Sequence, residues 1–172
     1  MISISVPDRN IALNINNLVS EYGNSLLRMC FLYLKDIHLA EDAVQETFLK
    51  AYKNYPQFKG DSEVKTWIMR IAINVCKNYL RSSWWKRVDA VESLNSIPTD
   101  TNMEAIPDDT LLLEIMRLSP KYKEVILLFY YQDLTIREIS HALTLPESTV
   151  SIRLKRARER LKMKLKGWYY DE

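Results

Sequence analysis

Glycine is scarce in this sequence, and long apolar runs are missing from it. Only three of the 172 residues are glycine, and most segments lack the alternation of apolar and polar residues that marks a half-buried strand. No apolar run approaches the roughly 18–20 residues that a membrane span needs, and the N-terminus lacks the basic and apolar regions of a secretory signal. We therefore expect an all-helical protein in the cytoplasm.

Cysteine and histidine are also rare, and they are dispersed. Cys30 and Cys76 form no Cys-x-x-Cys motif, and His38 and His141 are equally isolated. Reduced, buried thiols are therefore the preferred interpretation, and no metal site is expected. The sequence has no paired-carboxylate signature, no Ser/His/Asp arrangement and no phosphate-cradling glycine loop. We predict no catalytic residue, no cofactor and no small-molecule substrate.

The N-terminal half carries three stretches with helical periodicity. Apolar residues recur at three- and four-residue steps over residues 12–34, 38–54 and 63–82, and Pro56 ends the second stretch. On the third stretch, a row that begins at Trp67 predicts the core-facing side. The opposite side is basic with amides interspersed, and it holds Arg70, Asn74, Lys77, Asn78 and Arg81.

A change in composition then divides the chain. Between Arg87 and Arg117 there is no other Lys or Arg, whereas seven acids fall in that interval. Residues 87–107 also contain proline and several Ser, Thr and Asn, which is typical of a flexible acidic linker. The linker predicts two small helical domains, one at residues 10–86 and one at residues 108–168.

The C-terminal part of the chain predicts a helix-turn-helix. Ser119 followed by Pro120 is typical of a helix start. Thr135 and Glu138 fit a capping box, which opens a short helix. Residues 144–146, Thr-Leu-Pro, form a turn, and a longer basic helix follows it.

Positive charge is concentrated on that last helix. Between Glu147 and Lys166 there are eight Lys/Arg and two acids, whereas the whole chain carries only +2. An apolar stripe from Val150 to Leu165 predicts packing on the preceding helices, and it leaves a basic face for a polyanion. In the helix-turn-helix plan this helix enters the major groove of DNA. The residues placed to reach base edges are Ser148, Thr149, Ser151 and Arg153, and those placed to hold phosphates are Lys155, Arg156 and Arg160.

Two segments of the chain resemble conserved regions of sigma-70-type transcription initiation factors. Residues 40–81, with Asp-Ala-Val-Gln-Glu-Thr-Phe at 42–48, resemble region 2, and residues 118–162 resemble region 4. With only these two regions and a short linker, the chain is similar to the extracytoplasmic-function (group 4) class. It departs from the pattern at Ser148 and Ile152, where family members often carry Gly and Ser.

The resemblance implies a non-catalytic subunit that directs bacterial RNA polymerase to promoter DNA. Region 4 would bind the β flap and read the −35 element as duplex. Region 2 would hold the −10 element as a melted strand, with one base extruded into a pocket. The matching residues are Phe58 and Asn74 at the base and Lys77, Asn78 and Arg81 along the strand. Region 2 would also bind the β′ clamp helices of the core enzyme, through Asp42, Gln45, Glu46, Phe48 and Leu49.

Several interpretations stay open at the level of sequence. Phe58 could instead pack its loop onto the core, and Trp84 with Trp85 suits either base stacking or packing on a neighbouring domain. The acidic linker suits the RNA exit path of polymerase or a plain spacer. An anti-sigma factor, often membrane-anchored in this class, is expected as a further partner.

The rival function is a stand-alone helix-turn-helix regulator, which would bind duplex DNA without polymerase. The basic helix is also compatible with a protein-interaction module, with a membrane-surface helix and with a merely solvated basic face.

Overall fold

The computed structural model describes residues 9–83 and 109–169, with side chains described over 14–82 and 110–166. Within those ranges the chain is helical and has no strand, which confirms the predicted fold class. Helices make up two lobes, an N-terminal lobe (residues 9–83) and a C-terminal lobe (residues 109–169). The helices are α1 (Arg9–Leu34), α2 (Ile37–Asn54), α3 (Val64–Ser83), α4 (Asp109–Arg117), α5 (Pro120–Ile126), α6 (Ile136–Leu143) and α7 (Glu147–Tyr169).

The N-terminal lobe is a three-helix unit whose helices follow the predicted stretches closely. The Asp36 side chain caps α2 by accepting a hydrogen bond from the Leu39 amide at 3.0 Å. A short 3₁₀ turn, Tyr55–Gln57, follows α2 and leads into the loop before α3. Leu26 of α1 and Ile68 of α3 are both fully buried, so apolar packing between these helices fixes the faces they present to solvent.

The two cysteines, which are 46 residues apart, come together in this core. Cys30 and Cys76 are fully buried, and their sulfur atoms lie 3.6 Å apart. The hydrogen bond to Cys30 and burial raise the pKa of the Cys76 thiol. Cys76 therefore remains a protonated, unreactive thiol at neutral pH. The sequence predicted burial of each cysteine but not their contact.

The C-terminal lobe contains the predicted helix-turn-helix and two features that the sequence did not indicate. The capping box is confirmed, since Glu138 N donates to Thr135 Oγ1 at 3.2 Å and Thr135 N donates to Glu138 Oε2 at 2.7 Å. Ser119 precedes α5, but its side chain makes no capping hydrogen bond. After α5 the chain continues as one wider, π-helical turn over Leu127–Tyr131. Helix α4, before Ser119, was also not predicted.

The two lobes pack against each other, and their buried apolar residues form one continuous cluster. Helix α1 contacts α4 and α5, and α3 contacts α6. Gln132 Nε2 donates to the carbonyl of Ser25 at 3.1 Å, and Lys123 Nζ donates to the carbonyl of Tyr33 at 3.2 Å. The sequence predicted two tethered units without this interface. The predicted linker (87–107), Trp84 and Trp85 lie outside the described residues.

Candidate nucleic-acid interface

Helix α7 is held in place by the turn that precedes it and by its own apolar stripe. Thr144 ends α6 in the left-handed conformation, with φ of 55°. Ser140 secures the turn, because its carbonyl accepts from the Leu145 amide at 3.0 Å and its hydroxyl donates to the Leu145 carbonyl. Val150, Leu154 and Ala157 are almost fully buried. This packing confirms the predicted stripe and fixes which face of α7 meets solvent.

The solvent face of α7 carries most of the residues predicted to bind duplex DNA. Thr149 is half-buried at its start, and Arg153, discussed below, turns inward. The remaining residues of the predicted set are exposed, namely Ser148, Ser151, Lys155, Arg156 and Arg160. Hydroxyls therefore lie near the N-terminal end of the helix and cations lie further along it. In the helix-turn-helix plan, the N-terminal residues of this helix are the ones that contact base edges.

Cations converge on Tyr122, a residue that the sequence did not single out. The Arg160 guanidinium lies 4.7 Å from its ring centroid, and the Lys121 ammonium lies 5.0 Å from it. Desolvation raises the pKa of the Tyr122 hydroxyl, but the charges of Lys121, Arg156 and Arg160 outweigh this and lower it below 10.0. Lys121 and Arg160 therefore make this part of the molecule electropositive, which favours a phosphate near them.

Arg158 belongs to a different face of the same helix. Its Nε donates to the Tyr130 hydroxyl at 2.8 Å, and its guanidinium also lies over the Phe129 ring at 5.4 Å. The side chain lines an apolar groove between α4, α5 and α7. Arg158 is therefore turned away from the surface formed by Arg156 and Arg160.

Helix α3 presents the predicted single-strand surface. Asn74, Asn78 and Arg81 are exposed on one side of it. Lys77 shares that side, but its Nζ lies 2.9 Å from Oε2 of Glu124 in the C-terminal lobe. The predicted residues therefore share one side of α3, and one of the cations among them, Lys77, forms an ion pair within the protein.

Phe58 lies in an aromatic cluster at the start of α3. Its ring centroid is 4.8 Å from that of Trp67 and 6.4 Å from that of Tyr55. Phe58 is half-buried, and so is Trp67. Trp67 and Asn74 are about two helical turns apart on α3, which is a rise of about 10 Å. The cluster packs the loop onto α3 and leaves part of the Phe58 ring accessible.

The residues predicted to bind core polymerase divide between two faces of α2. Gln45, Phe48 and Leu49 line a groove of about 780 Å³ between α1 and α2, in which Leu49 is 60% exposed. Val19 of α1 adds a second exposed apolar side chain. Phe48 itself is mostly buried and forms the groove wall.

Asp42 and Glu46 form the adjoining row of α2, on its α3 side. Burial and the charges of Glu46 and Asp42 raise the pKa of the Tyr79 hydroxyl on α3. Glu46 also pairs with Lys50 at 2.8 Å. The groove and the acidic face are therefore neighbouring surfaces, and the sequence had treated them as one.

Glu124 is a second residue of this region that sequence reasoning missed. It is only 3% exposed, and its Oε1 accepts a hydrogen bond from Arg153 Nη1 at 2.9 Å. Its other oxygen forms the ion pair with Lys77, although without the alignment of a hydrogen bond. Arg153, predicted to reach a base edge, is therefore paired inside the protein here.

No helix in the described ranges is apolar and long enough to cross a membrane. Over those same ranges, no group of three or more His, Cys, Asp or Glu is arranged to hold a metal ion.

Comparison with known families gives two matches along the chain. Residues 18–86 match the family described as sigma-70 region 2, and residues 108–161 match sigma-70, region 4. Each match falls on one lobe of the structure, although the first turns of α1 and the last turns of α7 lie outside the matched ranges.

Curated proteins and solved structures agree with these matches. The chain is 30% identical over 164 residues to the ECF RNA polymerase sigma factor SigW of Bacillus subtilis strain 168, covering 87% of this chain and 88% of SigW. It is 32% identical to SigM of the same strain, covering 87% of this chain and 94% of SigM. In fold it is similar to sigma factor RpoE in complex with the anti-sigma factor NepR from Bartonella quintana, with a TM-score of 0.76, 21% identity and coverage of 92% and 99%.

Proposed function

This chain belongs to the extracytoplasmic-function class of the sigma-70 family and is an RNA polymerase sigma factor. From that premise we propose which residues bind polymerase and which bind each promoter element. The N-terminal lobe binds core polymerase and holds the melted −10 element. The C-terminal lobe binds the β flap and reads the −35 element as duplex. The observation that carries the proposal is the division of exposed residues, with an amide and cation row on α3 and a hydroxyl and cation face on α7.

The −35 element is read by the first turns of α7. Ser148, Thr149 and Ser151 stand at its N-terminal end, where a helix in the major groove approaches base edges. Lys155, Arg156 and Arg160 hold phosphates, supported by the positive potential around Tyr122. Arg153 joins the base-reading set once its pairing with Glu124 is released.

The −10 element is held by α3 and the loop before it. Asn74 carries both a donor and an acceptor, so it can read the Watson–Crick edge of an extruded base. Phe58, supported from behind by Trp67, supplies an aromatic wall. Lys77, Asn78 and Arg81 follow the strand backbone. Melting needs no catalytic group, because capture of the base and clamping of phosphates offset the cost of unstacking.

Core polymerase is bound by the groove between α1 and α2. Gln45, Phe48 and Leu49 supply an amide beside apolar anchors, and exposed apolar side chains on neighbouring helices are the usual signature of a docking site. Asp42 and Glu46 extend this surface with carboxylates. Because polymerase is its partner, the chain acts in the cytoplasm, without catalytic activity of its own.

An anti-sigma factor is a further proposed partner. It is supported by the fold shared with an RpoE that was solved in complex with an anti-sigma factor. Such a partner would act by covering the polymerase-binding or DNA-binding surfaces described above.

The function is tested by binding and transcription with purified core enzyme. We expect the chain to direct initiation from defined start sites on a genomic library, and to shift a promoter from that set tightly only when core is present. Tight binding of duplex without core, with no defined initiation, would favour a stand-alone regulator. Binding to neither would favour a protein-interaction module.

The phosphate role of Arg156 can be tested with Arg158 as a matched control. In the complex with core polymerase, Arg156→Gln should weaken binding of the −35 duplex about equally for all sequences and lower the slope of log K against log salt by about one. Arg158→Gln removes the same charge from the same helix, but Arg158 is bonded to Tyr130 and should leave the slope unchanged. Equal slopes for Arg156→Gln and the unaltered chain would contradict the assignment.

A further inference from the structure

Two surfaces proposed to contact different parts of a promoter share one buried carboxylate in this structure. Lys77 belongs to the α3 row of the N-terminal lobe, and Arg153 belongs to α7 of the C-terminal lobe. Both reach Glu124 of α5 at 2.9 Å, one at each carboxylate oxygen. The Lys77 and Arg153 side chains are 32% and 25% exposed. Two candidate DNA contacts are therefore occupied by the protein itself.

The groove around Glu124 is cationic apart from that residue. Among the described residues that line it, four carry positive charge and Glu124 alone is an acid; the cations are Lys77, Arg81, Lys121 and Arg153. Without the carboxylate, cations from the two lobes would face each other across a partly desolvated interface. Glu124 therefore offsets a repulsion that would otherwise drive the lobes apart.

The turn before α7 is tied to the N-terminal lobe as well. Arg70 of α3 donates from Nε to the carbonyl of His141 at 3.1 Å and from Nη2 to Thr144 Oγ1 at 3.3 Å. Thr144 is the left-handed residue on which the turn depends. The helix-turn-helix is thus fastened to the region 2 helix that carries the single-strand row.

This closed arrangement is too small to engage both promoter elements together. The −35 and −10 elements lie 25 base pairs apart by their names, which is roughly 85 Å of B-form DNA at 3.4 Å per base pair. A compact unit of the 136 described residues has a radius of gyration of only about 14 Å. The lobes must therefore separate before the chain can act on a promoter.

We propose that Glu124 is an internal phosphate mimic that latches the free chain closed. A carboxylate and a phosphate accept the same charge-assisted hydrogen bonds from Arg and Lys. Glu124 therefore competes with DNA for Lys77 and Arg153, and the latch opens when core polymerase draws the lobes apart. The proposal rests on the DNA-binding roles assigned above, and it adds a means by which the chain on its own avoids binding DNA.

The test compares Glu124→Gln with Glu114→Gln in the free, full-length chain. Both changes remove one negative charge from the C-terminal lobe, but Glu114 pairs with Arg117 of its own helix. Glu124→Gln should increase the radius of gyration measured by small-angle X-ray scattering. It should also raise affinity for a random-sequence duplex of about 30 base pairs roughly tenfold, if about a tenth of the unaltered chain is open. Glu114→Gln should change neither quantity.

Two results would overturn the latch. One is an unchanged radius of gyration in a folded Glu124→Gln chain, and the other is an equal gain in duplex affinity for Glu114→Gln, which would reflect charge alone. If Glu124→Gln does not fold, Arg70→Gln tests the same closure from an exposed side chain on the other lobe. Arg70→Gln should also expand the chain, and an unchanged radius there would equally overturn the proposal.

The scattering measurement uses neither DNA nor polymerase. If the Glu124→Gln chain expands but the unaltered chain fails to initiate transcription with core, the proposed function is rejected and the closure through Glu124 is retained. If the unaltered chain initiates normally but the Glu124→Gln chain does not expand, the latch is rejected and the proposed function is retained.

Discussion

Replacing Leu49 by glutamate should lower affinity for core polymerase by roughly 100-fold, which corresponds to about 2.7 kcal/mol. Leu49 is 60% exposed at the rim of the groove between α1 and α2. A carboxylate there would have to be desolvated against an apolar partner without a compensating charge. Because the side chain is exposed in the free chain, the fold itself should change little in stability. The measurement is a binding titration of labelled chain with core enzyme.

Leu49→Met is the matched control for this change. Methionine keeps the volume and apolar character of leucine, so affinity for core should stay within a few-fold. Both variants should keep the helical content and unfolding midpoint of the unaltered chain. If Leu49→Glu binds core normally while remaining folded, the groove is not the docking surface, and the acidic face with Asp42 and Glu46 becomes the next candidate.

Most of the architecture follows from signals that are local in sequence. The stripe from Val150 to Leu161 and the Thr135–Glu138 capping box each depend on residues a few positions apart. Periodicity and capping rules act over that range, so every helix except α4, and the orientation of α7, could be predicted. The exposed row on α3 follows for the same reason.

The interface between the lobes could not be predicted in this way. Glu124 lies 47 positions from Lys77 and 29 from Arg153, and no sequence period links them. In the sequence Glu124 is one acid beside Lys123 at the start of an apolar run. Nothing there shows whether its carboxylate is buried in ion pairs or exposed to solvent. The contact between Cys30 and Cys76 could not be predicted either, because no sequence period links positions that far apart.

The sequence alone could not separate the two neighbouring rows of α2. Asp42 and Glu46 are one helical turn apart and share one face, whereas Gln45 and Leu49 share the next. The resemblance assigned all four residues to the polymerase surface, because a match between sequences does not show which way each side chain faces. In the structure Tyr79 of α3 lies near Glu46 and Asp42, whereas the apolar groove lies on the α1 side of α2.

Substituting Asn74 by alanine should lower the yield of open promoter complexes by roughly 10- to 100-fold. The reason is that removing an amide positioned to read a base weakens the binding free energy of that base by about 1–3 kcal/mol. Asn74 is exposed on α3, away from the groove between α1 and α2, so affinity for core should be unchanged. The measurement is the fraction of heparin-resistant complexes formed with core on a promoter. Asn24→Ala, which removes an exposed amide from α1, should have no effect.

A double-mutant cycle can show that Asn74 reads a base and does not merely support the strand. Abasic sites are placed one at a time through the non-template strand of the −10 element, and each template is tested with the unaltered chain and with Asn74→Ala. At the captured position the missing base should cost the unaltered chain as much as losing Asn74 does, and the two losses should not add. Additive losses at every position would mean that Asn74 contacts the backbone, and an equal fall in core affinity would mean that it acts through polymerase instead.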